Sequence, residues 1–104
     1  MTKKEITNIL KVLKKFNWTI ITNNTHRRMN ESQKNWVDHV IFNQYIIVFV
    51  EVKLGKDVLS KGQIDTMKKL KLLSERTPRL EYHIIHDNKE ATDLVEHLLS
   101  LDLC

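Results

Sequence analysis

The sequence predicts an α/β domain in which a mixed four-stranded sheet carries helices on both faces, its elements in the order αβββαβα. Three observations predict it. The stretch Trp36–Lys53, WVDHVIFNQYIIVFVEVK, is dominated by Val, Ile, Phe, Tyr and Trp, which suit a pleated, buried surface. Read as a hairpin, it is largely apolar on both faces and so belongs in the middle of a covered sheet. Three other segments carry apolar residues at helical spacing instead. The 104 residues make one domain, 1–104, with no internal repeat and no low-complexity linker.

The chain opens with a helix. Thr2 and Glu5 have capping-box spacing, Ile6, Ile9, Leu10, Leu13 and Phe16 recur at helical intervals, and Lys3, Lys4, Lys11, Lys14 and Lys15 take the wet side. Glu5 falls at the edge of the buried stripe, beside Ile9, Val12 and Phe16. Trp18–Thr22 is β-branched and bounded by polar residues, a short strand. Asn23–Asn35 is the most polar stretch and the longest loop, and so long a loop in so small a domain is functional or disordered. It holds His26, Arg27 and Arg28; paired guanidinium forks match phosphate oxygens, against the plainer reading of a solvated loop.

After the hairpin, Leu54–Ser60 leads into a strong helix start. Ser60 can cap, Gln63 stands three positions on, and Leu59 with Ile64 can form a hydrophobic staple. The helix runs from Lys61 to about Glu75 with Ile64, Met67, Leu70 and Leu73 buried, and Thr77-Pro78 ends it. Lys56 and Lys61 flank Gln63 and suit phosphate held at the positive helix terminus. Leu80–His86 is the fourth strand, and Asp87-Asn88 turns into a last helix with the stripe Ala91, Leu94, Val95, Leu98 and Leu99. The first three strands form an antiparallel meander, and the helix from Lys61 crosses over to the fourth. The final helix, leucine-rich down to Leu103, completes the core or makes a dimer face. His83, His86 and His97 lack the spacing of a zinc site and read as structural.

Within the hairpin, Asn43-Gln44 reads as a two-residue turn, though without the Gly that favours one. That register sets Phe42 against Tyr45, Val40 against Ile47, Asp38 against Phe49 and Trp36 against Glu51. Asp38 and Glu51 become diagonal neighbours roughly 5–8 Å apart at Cβ, and Lys53 continues their face. The other face, Val37, His39, Ile41, Ile46, Val48, Val50 and Val52, is almost wholly apolar, and His39 reads as a satisfied core histidine. Two adjacent carboxylates need a compensating positive charge. A divalent cation on oxygen ligands supplies it, or Lys53 does as an ordinary cross-strand ion pair.

The ordered set Asp38, Glu51-Val52-Lys53 and Gln63 resembles the PD-(D/E)XK nuclease motif, in particular the small VRR-nuclease and Holliday-junction-resolvase-like branch of that superfamily. The resemblance covers most of the chain, from Glu5 in the first helix to the last helix, with Val37 where the family has proline. It implies a restriction-endonuclease-like core and a metal-dependent endodeoxyribonuclease, structure-selective for branched or junction DNA. By that resemblance Asp38, Glu51 and the backbone carbonyl of Val52 hold Mg²⁺ or Mn²⁺, and Lys53 orients or activates water and stabilises transition-state charge. Gln63 and Glu5 would position water or the outer metal shell. Each also has a plainer reading, as a helix-capping residue.

Seventeen Lys and Arg against thirteen Asp and Glu give a net charge of +4, which suits a polyanionic partner such as DNA without requiring one. A chain this small contacts both arms of a branched substrate only as a homodimer. No organic cofactor is called for. The single cysteine, Cys104, fits a reducing, cytoplasmic compartment, and no signal peptide or membrane span is visible. The richness in Asn, Ile and Lys fits an A+T-rich genome such as that of a virus or mobile element. Two other readings stand: a catalytically inactive nucleic-acid-binding domain of the same fold, and a protein-interaction module.

Overall fold

Thr2 starts the first helix as its sequence expects: its hydroxyl oxygen accepts from the Glu5 amide at 3.1 Å, opening α1 (Lys3–Leu10). The coordinates, a computed structural model, describe residues 2–23 and 36–101. His26, Arg27, Arg28, Leu103 and Cys104 lie outside the described residues. The helix expected to reach Phe16 is α-helical only to Leu10 and tightens into a 3₁₀ segment over Lys11–Phe16, which Asn17 ends at φ 67°. The tighter winding takes Phe16 off the buried stripe, so Ile6, Leu10 and Leu13 are enclosed while Phe16 is exposed.

Four strands follow in sheet order β1 (Thr19–Thr22), β2 (His39–Phe42), β3 (Ile47–Val52) and β4 (Leu80–Ile85). The first three pair antiparallel as a meander, and β4 joins β3 in parallel after the crossover helix α2 (Lys61–Arg76). The last helix is α3 (Asn88–Ser100), capped by the Asp87 carboxylate on the Glu90 amide at 2.8 Å. The fold is therefore α/β, with a four-stranded mixed sheet and helices on both faces.

Strand alternation divides the core. Ile41, Val48, Val50, Val52 and Ile85 face α1 and α3, meeting Ile6, Leu10, Ala91, Leu94, Val95 and Leu98. On the other face Phe49 packs with Leu70 of α2, joined by Val40, Ile47, Leu80 and Tyr82.

The hairpin departs from expectation in an instructive way. The turn is not two residues but the loop Asn43–Ile46, because the Asn43 side-chain oxygen accepts from the amides of Tyr45 (2.8 Å) and Ile46 (3.1 Å) and closes a wider bend. The register moves by two, pairing Phe42 with Ile47, Val40 with Phe49 and His39 with Val50. An even shift keeps every side chain on its face. Continued one step, it sets Asp38 directly across from Glu51 rather than diagonal to it.

Trp36–Asp38 lies before β2 and not in it, and Trp36 packs edge-on to Phe49 with centroids 5.5 Å apart instead of facing Glu51. That bend also swings Val37 to the α2 face, where it is buried with Phe49 and Leu70, correcting its expected place beside His39.

Of the four α2 residues expected inside, Leu70 is buried, while Ile64 and Leu73 are exposed; likewise Leu99 of α3 is exposed. The helix meets the sheet mainly through β4, too narrow a contact to cover a wide stripe. Its start is nevertheless well made, with a complete capping box: the Gln63 amide donates to Ser60 Oγ at 3.2 Å, and the Ser60 amide donates to Gln63 Oε1 at 3.0 Å. Ser60→Ala is expected to cost about 1 kcal/mol, measured by urea unfolding with an unchanged slope.

Candidate metal and nucleic-acid site

Among the described residues the buried ionisable side chains are His39, Glu51 and Lys53, all at the same end of the central strands. Placing charge there is costly unless it is paired, so their clustering is itself a signal. Asp38 is fixed from two sides. Its backbone carbonyl accepts from the Asn23 amide at 2.8 Å, and its Oδ2 accepts from the Val52 amide at 2.8 Å, so the carboxylate is pinned onto β3 next to Glu51.

Glu51 is 2 % exposed, and its carboxyl neighbours that of Asp38, which is pinned to the amide of the next residue. Two buried carboxyls side by side do not both ionise readily. Burial, then the hydrogen bond and the charge of Asp38, raise the Glu51 acid to about 8 against the pull of Lys53 and Lys3. Gln63 reaches the same group: while its oxygen caps α2, its Nε2 donates to Glu51 Oε1 at 3.4 Å. Gln63 thus caps α2 and touches Glu51 with one side chain.

Lys53 continues the strand end. Its amide donates to the Ile85 carbonyl at 2.9 Å, and its buried ammonium lies 3.9 Å from Asp57. The intervening turn requires Gly55, whose φ of +58° is left-handed. Lys56 and Lys61 are exposed, in that turn and at the first position of α2.

Glu5 lies at the start of α1, where its Oε2 accepts from Asn88 Nδ2 at 3.1 Å, tying α1 to α3. His39 faces the α1 side and shares a 3.0 Å hydrogen bond through Nδ1 with the Thr22 hydroxyl. Burial lowers its pKa, with Asp38 opposing and Lys3 and Lys11 reinforcing. It is a satisfied core histidine, as alternation implies.

Two features escaped the sequence reading. One is Tyr82 of β4, whose hydroxyl is raised to about 12 by burial and then by Glu51 and Asp38. The other is a groove of about 470 Å³ lined by Lys3, Lys4, Thr7 and Lys11 of α1 and its neighbours, with Asp38, His39 and Val52 in its wall. Those lysines read only as the wet face of a helix, because helical periodicity cannot say which neighbour that face overlooks.

Chemically, the arrangement offers hard oxygen donors from two neighbouring carboxyls, a buried ammonium two residues on, and a cationic groove beside them. No helix among the described residues is long and apolar enough to cross a membrane. No family model, curated protein or solved structure matches the chain.

Proposed function

We propose that this protein is a metal-dependent endonuclease of the PD-(D/E)XK type with a restriction-endonuclease-like core, hydrolysing phosphodiester bonds of DNA. The observation that carries the reading is the meeting of Asp38, just before β2, with Glu51 of β3, beside a buried Lys53 and with Gln63 on Glu51.

The donor set fits Mg²⁺ or Mn²⁺. With Asp38 pinned to the Val52 amide, the carboxyls of Asp38 and Glu51 are neighbours able to share one cation, and oxygen-only ligands suit hard ions. Bound there, the ion supplies a Lewis acid for a phosphate oxygen and a water of lowered pKa. Asp38 holds its place through the Val52 amide, which leaves its second oxygen for the ion. Glu51 would hold the ion as a carboxylate, its orientation set by Gln63. Lys53, kept from water, meets the charge that develops on the phosphate. Val52 lines the groove, and its backbone carbonyl would be the third ligand.

Lys3, Lys4 and Lys11 make the groove a track for phosphates leading to Asp38. Replacing all three by Ala is expected to weaken DNA binding and to reduce the slope of log K against log [salt] by about 2–3, at about 0.9 for each phosphate no longer neutralised. Equal slopes for variant and wild type would remove the groove from the DNA path. Spanning both arms of branched DNA takes two copies, so the proposal includes a homodimer.

The test is cleavage of labelled linear duplex, single strand, flap and four-way junction with Mg²⁺, Mn²⁺ or EDTA. Metal-dependent cutting that prefers the branched substrates supports the full proposal. Binding without cutting, indifferent to metal, would identify an inactive binding domain instead.

A further inference from the structure

A second cluster lies on the opposite face of the sheet. Glu81 and His83 alternate on β4 with Tyr82, so they face away from Glu51 and toward α3, opposite Val48 and Val50. There His97, in the last turn of α3, meets them. His83 Nε2 is 2.7 Å and His97 Nε2 3.0 Å from the same Glu81 oxygen, and the two imidazoles stand 5.9 Å apart between centroids at 61°.

We propose that Glu81, His83 and His97 form a cation site of zinc type, separate from the Asp38–Glu51 pair. One carboxylate and two imidazoles are borderline ligands, suited to Zn²⁺ and poorly suited to Mg²⁺. Their three ligand atoms already lie within 4.8 Å of one another. A tetrahedral ion with bonds of about 2.0–2.2 Å asks only for small side-chain rotations to draw them in.

The convergence is specific in its chemistry. A carboxylate only accepts hydrogen bonds, so both Nε2 atoms point an N–H at Glu81. Deprotonated at Nε2, each turns a lone pair to the same point, and the ion takes the place of two hydrogens. All three side chains remain partly exposed, and a groove of about 270 Å³ lined by His83, Asp93 and His97 gives a path of entry and room for a water as fourth ligand. Such an ion would tie β4, the edge strand, to α3. The sequence hid the site because His97 is fourteen positions past His83 on a different element; only the Glu81-x-His83 alternation was visible.

The test is Zn²⁺ titration of the full chain by calorimetry, with Co²⁺ absorption as a second readout, in Glu51→Gln, which silences the first pair, alone and combined with His83→Gln or His97→Gln. The expected result is one Zn²⁺ per chain in Glu51→Gln, where the Asp38–Glu51 pair no longer competes for the ion. In either histidine variant affinity should fall by more than the roughly 10–100-fold that loss of an outer-shell partner costs, and the Co²⁺ ligand-field bands should disappear. Circular dichroism checks that the variants fold. Zn²⁺ binding of unchanged strength in either combined variant, or no Zn²⁺ binding in Glu51→Gln alone, would overturn the proposal.

Discussion

Glu51→Gln is expected to raise the melting temperature at pH 8.5 by on the order of 10 °C, while abolishing the further rise that Mn²⁺ gives the wild type and abolishing DNA cleavage. The stability effect follows from linkage. The Glu51 acid goes from an ordinary value of 4.5 to about 8 on folding. Below pH 4.5 both folded and unfolded chains hold the proton, so nothing is lost. Between pH 4.5 and 8 the folded chain keeps a proton that the unfolded chain releases, and stability falls by up to about 1.4 kcal/mol per pH unit. Above 8 the loss is complete.

Glutamine carries the same shape and a donor for Asp38, with no proton to lose, so its stability should be nearly flat across that window. The gain at pH 8.5 is then a few kcal/mol. Thermal denaturation of both proteins from pH 5 to 9 measures it. Parallel curves would show that Glu51 is an ordinary carboxylate. A stabilised variant beside a wild type indifferent to Mn²⁺ would leave a structural acid pair and no metal site.

Lys53→Met should separate catalysis from ion binding. The side chain is buried and Met keeps most of its volume, so the fold is expected to survive. Loss of the ammonium should lower the single-turnover cleavage rate about 10²–10³-fold, the usual cost of removing a preorganised charge from a water-poor site. Mn²⁺ affinity should hold or tighten slightly, since Lys53 opposes a cation at Glu51 as it opposes the proton there. A cleavage rate within a few-fold of wild type would leave Lys53 as a structural partner of Asp57 alone.

The features legible in the sequence are those set by local pattern. Apolar alternation found β3 and the separation of its two faces, and the Ser60–Gln63 spacing found the capping box. The chain order of Asp38, Glu51 and Lys53 was enough to bring them to one strand end. The turn was not legible, because the Asn43 side chain closes a wider bend than a count of apolar residues implies. Since the resulting slip was even, the faces survived and Asp38 came opposite Glu51 instead of diagonal to it. Val37 failed because alternation was carried into a bend that is not strand. The Lys3–Lys11 groove wall and the approach of His97 to Glu81 depend on how helices settle on the sheet, which periodicity within one element does not encode.

The central claim is that Asp38 and Glu51 hold one exchangeable cation, and proton-linked Mn²⁺ binding tests it most directly. Calorimetry in His83→Gln, which removes the second cluster from the titration, is run in buffers of different ionisation enthalpy. One Mn²⁺ per chain is predicted, with about one proton released at pH 7, release vanishing well above pH 8, and binding lost when Glu51→Gln is added. Mn²⁺ binding of equal strength with and without the Glu51 carboxylate, or no binding at any pH, would contradict the account.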